Sequence, residues 1–246
     1  IATESKIQYR TYPYNPDNQK TGFYCDQREN RVRLASLLDA TTNTNVLDLC
    51  CYHGGFALHC AKAGATVTAV DSSRDAIDTA RSNADLNGCA ETITFVNSDI
   101  ETFLKNERTR ADLLENTQLE VDDEASVPSF TGYDVIILDP PKLAPSLSSL
   151  PRATRKYHSL NTAALNLIHP QNGGLLLSCT CSAAMTQAEG GRQFQRMLQT
   201  AAVSAKRSVK VLEVWGASGC HVRNPAAFPA GEYLTAVLLF VGPKMD

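Results

Sequence analysis

No stretch of the 246-residue chain approaches the run of about 18 apolar residues that a membrane-spanning helix needs, and a secretory leader is not expected. A membrane partner is therefore not expected. A basic excess is also missing: 23 Lys and Arg against 26 Asp and Glu leave a net charge of −3. A free-standing nucleic-acid binder usually carries a basic surface, because phosphate neutralisation supplies most of its affinity. Any RNA partner must then meet a local basic patch or a second domain. Internal repeats are absent. The eight cysteines do not form the dense pattern of a small disulfide scaffold; Cys50, Cys51, Cys60, Cys179 and Cys181 lie inside apolar runs and read as reduced thiols. Cys179-x-Cys181 has no second Cys/His pair at zinc-ligand spacing, so no metal is expected. The chain does not begin with Met, and processing or trimming upstream of Ile1 is expected.

What is there is an ordinary globular composition, 43% hydrophobic and 20% charged, enough to bury a full core over 1–246 as one domain. Short β-branched apolar runs alternate with amphipathic stretches, the pattern of βα units on a parallel sheet. Strands are expected at 45–50, 66–71, 92–97, 133–138, 174–179, 209–214 and 234–241, and helices near 26–38, 55–63, 74–87, 100–105, 156–168 and 187–205. The fold class is α/β: a doubly wound, mostly parallel seven-stranded sheet with helices on both faces. Such Rossmann-like sheets bind ligands at the carboxyl ends of their strands. Residues 107–131 are polar and acidic and read as a solvated, mobile insertion without a chemical role.

The first βα turn, Cys51-Tyr52-His53-Gly54-Gly55-Phe56, carries two glycines that let backbone approach a ligand. About twenty residues on, Asp71 ends the second strand, where an acid can accept from ribose hydroxyls. A dinucleotide would fit a Gly-rich turn, but the spacing is not Gly-x-Gly-x-x-Gly, and Asp48 before the turn would repel a pyrophosphate. A cationic, phosphate-free ligand such as S-adenosyl-L-methionine (SAM) suits the turn better. Asp99 ends the third strand, where it can receive an adenine amino group; Ser72 and Ile100 follow the two acids into the same site. Each acid taken singly can also be read as a helix N-cap.

Asp139-Pro140-Pro141-Lys142 ends the fourth strand. Two prolines hold the loop stiff and extended, so the last carboxylate faces the cleft, as in the Asn/Asp-Pro-Pro turns of methyltransferases acting on planar bases. Cys181 then selects a reaction. Cytosine C5 is not nucleophilic enough to accept a methyl group directly, whereas addition of a thiolate at C6 makes C5 enamine-like. Asp139 near N3 can stabilise that adduct, and Lys142 or Arg155 can favour the thiolate. Strand alternation puts Cys179 on the same face; it is read as buried inside the strand, with Cys181 just beyond its end.

Lys20-Thr21-Gly22-Phe23-Tyr24-Cys25-Asp26-Gln27-Arg28, Tyr52-His53-Gly54-Gly55-Phe56, Asp139-Pro140-Pro141-Lys142, Arg155-x-Tyr157, Cys181-Ser182 with Met185-Thr186, and Pro229-x-Gly231-x-Tyr233-Leu234 together resemble the catalytic domain of the RlmI-type large-subunit ribosomal RNA cytosine-C5 methyltransferases. The resemblance implies SAM as cofactor, a large-subunit ribosomal RNA base as substrate and Cys181 as nucleophile. It implies that Thr21, Gly22 and Phe23 cover the cofactor while Asp26, Gln27 and Arg28 brace its pocket. It implies an RNA-binding PUA domain upstream, leaves a homodimer open, and leaves the compartment open between a bacterial cytoplasm and a plastid or mitochondrion. Two other readings compete: a SAM enzyme modifying guanine in the same RNA, against which Cys181 speaks, and a degenerate RNA-binding module, against which Asp71, Asp139 and Cys181 speak.

Overall fold

The computed structural model describes residues 1–11, 23–38, 43–118, 132–222 and 226–245. In chain order its elements are β1 (Ala2–Glu4), β2 (Ile7–Tyr9), α1 (Arg28–Ser36), β3 (Asn45–Leu49), α2 (Gly55–Lys62), β4 (Thr66–Asp71), α3 (Arg74–Asn87), β5 (Ile93–Asn97), α4 (Ile100–Gln118), β6 (Val135–Leu138), α5 (Leu150–Leu167), β7 (Gly174–Thr180), α6 (Ala183–Gln187), α7 (Arg192–Ser204), β8 (Arg207–Trp215) and β9 (Thr235–Lys244).

Seven strands form one sheet in the order β5-β4-β3-β6-β7-β9-β8. The pairs among β3 to β7 are parallel, and β9 runs antiparallel to both β7 and β8. The chain therefore winds outward from β3 through β4 to β5, then restarts at β6 on the other side of β3. The crevice between β3 and β6 is the switch point where such sheets bind ligands. Because strand side chains alternate, each strand feeds two cores. Leu47, Leu49, Ile136, Leu138 and Leu176 pack toward α4, α5 and α7. Val46, Val135, Ile137, Leu177 and Cys179 pack toward α1, α2 and α3.

The seven strands and the doubly wound class are as expected from sequence, with boundary shifts that have local causes. Helix α5 starts at Leu150, earlier than expected, since Pro151 fits a first turn whose amide needs no partner. Helix α7 starts only at Arg192, because Glu189 and Gly190 take left-handed φ values of 53° and 64° that break a helix. Helix α4 runs on to Gln118, so the first part of the expected insertion 107–131 is helical, a run rich in strong helix formers. The remainder of that segment, 119–131, lies outside the described residues. The β1–β2 hairpin was not foreseen, since three-residue strands show too little periodicity to register. No described helix is long and apolar enough to cross a membrane.

Candidate active site

The ends of β3, β4, β5, β6 and β7 open into a cavity of about 770 Å³. Its walls are built from the turns that follow those strands. After β3, three residues of the turn 50–54 take left-handed φ: Cys50 at 65°, Tyr52 at 49° and Gly54 at 82°. For the two non-glycines this is strain on the order of 1 kcal/mol or more each, which surrounding contacts must hold in place. Asp71 at the end of β4 supplies one: its Oδ2 accepts from Tyr52 N at 2.9 Å, while its Oδ1 accepts from Ser73 N at 2.9 Å. The N-cap of α3 is Ser73 and not Asp71. Asp99 does act as a cap, taking the amides of Glu101 and Thr102 on Oδ1 at 3.1 and 3.0 Å; the Thr102 hydroxyl first, and then these amides, hold its carboxyl below the usual carboxylate range.

The two glycines serve packing as well as turn geometry. A Cβ on Gly54 would lie 3.3 Å from Ala80 of α3, and Gly54 does not line the cavity. A Cβ on Gly55 would lie 2.7 Å from Arg31 Nη1, so the missing side chain makes room for a guanidinium. That guanidinium is buried and forms a bidentate pair with Glu4 of β1, Nε to Oε1 at 2.9 Å and Nη2 to Oε2 at 2.8 Å, and it also donates to Tyr24 O at 2.7 Å. Tyr9 of β2 accepts or donates at His59 Nδ1 across 3.1 Å, closing the same wall.

Among the described residues, five carboxylates line the cavity, Asp26, Asp48, Asp71, Asp99 and Asp139, and two cations face them, Arg31, already paired with Glu4, and the exposed Lys142. Asp48 is only 1% exposed; its Oδ2 accepts from Ala57 N at 2.9 Å, and its Oδ1 has no hydrogen-bond partner among the described residues. Burial, reinforced by Asp139 and Asp71, pushes its carboxyl up to about 7. Burial, with Asp26 beside it, likewise raises Asp139 to about 7, although Gln27 Nε2 donates to its Oδ2 at 3.0 Å. Gln27 is aimed by Asn30, and Asp26 accepts from Tyr233 OH at 2.7 Å. A cavity so acidic, with an orphaned carboxylate oxygen in its wall, suits a positively charged ligand and disfavours a phosphate.

The phase of β7 separates the two cysteines. Cys179 is fully buried in the core under α1–α3, where desolvation pushes its thiol far up. Cys181 comes one residue past Thr180, the end of β7, and lines the cavity with its Sγ 3.8 Å from Pro140 O of the Asp-Pro-Pro turn. The buried Tyr157 of α5 fixes that strand end, its OH 2.8 Å from Thr180 Oγ1.

Of the residues singled out from sequence, Phe23, Asp26, Gln27, Asp48, Tyr52, His53, Gly55, Phe56, Asp71, Ser72, Asp99, Ile100, Asp139, Lys142 and Cys181 line this one cavity. Thr21 and Gly22 lie outside the described residues. Arg28 is not in the cavity wall; it is half-buried and its guanidinium is drawn to its neighbour Glu29 at 3.3 Å, whereas the guanidinium of Arg31 is drawn inward by Glu4. Arg155 is exposed and does not line the cavity, Lys142 lines the cavity that Cys181 also lines, and Lys156 is engaged by Glu101. Sequence reasoning missed Tyr9, Tyr24, Arg31, Cys50, Cys51 and Tyr233 as lining residues. Arg31 could have been found from its spacing to Gln27; Tyr9 and Tyr233 could not, since only tertiary contacts bring them here.

Residues 46–128 match the family model of the methyltransferase domain. With this sheet, this switch-point cavity and this acid pattern, the chain carries a methyltransferase domain of the SAM-dependent class. Within that class it is homologous to ribosomal RNA large subunit methyltransferase I of Photobacterium profundum, 36% identical over 90% of this chain and 49% of the relative. The same protein of Aeromonas hydrophila is 36% identical over 91% of this chain and 49% of its own length, so the chain spans about half of these relatives. Among solved structures, SMU.776, a methyltransferase complexed with S-adenosylhomocysteine (SAH), shares the fold with a TM-score of 0.72 at 22% identity, covering 96% of this chain and 54% of that one.

The raised carboxyl of Asp48 has a consequence for stability. Its folded value of about 7 lies above the unfolded value of about 3.9, so ionisation in the fold carries a penalty that is absent below pH ~4, grows between pH ~4 and ~7 and is constant above. Asp48→Asn keeps the acceptor for Ala57 N and removes the ionisation. Without cofactor it should unfold about 2–4 kcal/mol later than wild type at pH 8 and match it near pH 4, read by urea denaturation at both values. Equal stability at pH 8 would sink the idea.

Proposed function

We propose that the chain forms 5-methylcytosine in large-subunit ribosomal RNA through a covalent adduct on Cys181. SAM, when bound, supplies an electrophilic methyl group. In this reading Asp71 receives the ribose hydroxyls, Asp99 lies toward the adenine end, and the orphaned Oδ1 of Asp48 accepts from the ammonium group. Phe23, Tyr52, His53 and Phe56 supply apolar walls; the Tyr52 and His53 rings stack with centroids 3.7 Å apart.

The thiolate of Cys181 adds to C6 of the cytosine, forming one S–C bond. Asp139, raised to about 7, is protonated in part of the molecules at neutral pH and can give a proton toward N3 as negative charge develops there. After C5 is methylated its proton leaves to a base, the C5–C6 double bond re-forms, the thiolate departs, and N3 returns its proton to Asp139. Lys142 favours the ionised sulfur. The observation that carries this reading is the placement of Cys181, against Pro140 and in the same cavity as Asp139, while Cys179 is sealed in the core. Relatives named for the large ribosomal RNA support the substrate class.

The test uses RNA carrying 5-fluorocytosine, which cannot release its C5 substituent as a proton and should trap a protein–RNA adduct whose peptide map contains Cys181. An adduct on Cys179 would overturn the strand phase described here. No adduct, with methylated guanine as product, would replace the cytosine reading by the guanine one.

A further inference from the structure

Outside the cavity, the fold gathers a second chemically capable group. Cys25 lies in a 3-10 turn over Cys25–Gln27, between the cavity residues Tyr24 and Asp26. Cys220 and His221 lie in the loop after β8. One ligand atom from each of the three side chains falls within 4.8 Å of the others, and Cys220 Sγ is 3.4 Å from His221 Nδ1. We propose that Cys25, Cys220 and His221 form a metal site that takes one soft divalent cation of the zinc class, through two thiolates and an imidazole, with solvent in the fourth position.

The geometry supports this in three ways. Tetrahedral zinc with Zn–S of about 2.3 Å and Zn–N of about 2.0–2.1 Å has donor–donor edges of roughly 3.5–3.8 Å. The sulfur–nitrogen distance of 3.4 Å is already at that edge, and the remaining donor–donor distances, within 4.8 Å, exceed it by about 1 Å at most. Second, hydrogen bonds other than those of the donors lock the two segments, and the Cys220 thiol itself donates to Cys25 O at 3.5 Å. Ser218 N and Ser218 Oγ both donate to Asp26 O, at 2.8 and 2.9 Å, Glu29 N donates to Ser218 Oγ at 3.0 Å, and Gly219 N donates to Glu29 Oε1 at 3.2 Å. Preorganised donors bind a metal without ordering the chain first. Third, a disulfide between the two cysteines would leave the imidazole without a purpose at the same point, whereas two thiolates and an imidazole are a known zinc donor set that keeps a position open. On binding, each thiol gives its proton to solvent as its metal–sulfur bond forms.

Linear spacing carries no sign of this site, since Cys25 and Cys220 are 195 residues apart. The expectation of no metal came from searching for local pairs. The bound ion would staple the turn carrying Asp26 to the loop whose His221 ring lies 6.1 Å from the Tyr233 ring, and Tyr233 is the residue that holds Asp26 in the cavity wall.

The experiment is cobalt titration of the reduced, metal-stripped chain, followed by competition with zinc. One equivalent of Co²⁺ should give a thiolate-to-cobalt charge-transfer band that zinc displaces; the band should vanish in Cys25→Ser and Cys220→Ser, weaken in His221→Asn and persist in Cys181→Ser. Zinc at one hundred times its Kd should raise the melting temperature of wild type by roughly 5–10 °C and leave Cys220→Ser unmoved. Absence of a stoichiometric band, or a band that survives both serine variants, would overturn the proposal. So would protein that takes up no metal after reduction and instead reoxidises to a Cys25–Cys220 disulfide.

Discussion

Cys181→Ala should lower methyl transfer by more than about a thousandfold while leaving SAM affinity within a few-fold of wild type, because the sulfur makes its bond only in the reaction. Single-turnover assays on the RNA substrate with equilibrium binding of SAM separate the two effects. The companion variant Cys179→Ala should keep full chemistry and lose about 1 kcal/mol of stability, the usual result of deleting a small group from a packed core. The asymmetry is what matters, since both cysteines sit on the same strand end two residues apart. Retention of activity in Cys181→Ala would remove the covalent mechanism. Loss of SAM affinity in the same variant would make Cys181 a wall of the cofactor site and leave the chemistry elsewhere.

Arg31→Met should destabilise the fold by about 3–5 kcal/mol, because it strands the Glu4 carboxylate in a wall where both side chains are nearly fully buried, 6% and 1% exposed. His59 Nε2 lies 3.5 Å from Glu4 Oε1, and burial holds its imidazole below the ordinary value, which disfavours its taking the place of the guanidinium. The double variant Glu4→Gln with Arg31→Met should recover much of the loss, since no charge then remains unpaired. Urea denaturation of the single and double variants measures both numbers. A loss below about 1 kcal/mol in Arg31→Met would show that water reaches the pair and that β1 is not a sealed wall of the site.

Between these two variants lies the difference between what could be read in the chain and what could not. The alternation of apolar runs with amphipathic ones determined the seven strands and the doubly wound sheet, since each strand must serve two cores and each helix one. The acids and turns at the ends of four strands marked the edge of the sheet where the cavity lies, because a parallel sheet delivers every strand's carboxyl end to the same edge. Cys181 was legible for the same reason: its distance from the end of an apolar run fixes its depth.

The tertiary structure decided everything that depends on elements distant in sequence. It showed that Gly55 is small to admit Arg31, and that Arg31 is neutralised by a three-residue strand at the start of the chain. It turned Arg28 outward, gave Asp99 to the cap of α4, and closed the wall with Tyr9 and Tyr233. It also brought Cys25 to Cys220 and His221. Strand ends follow from local periodicity, which a sequence displays; the pairing of one loop with another follows from the packing of the whole sheet, which it does not.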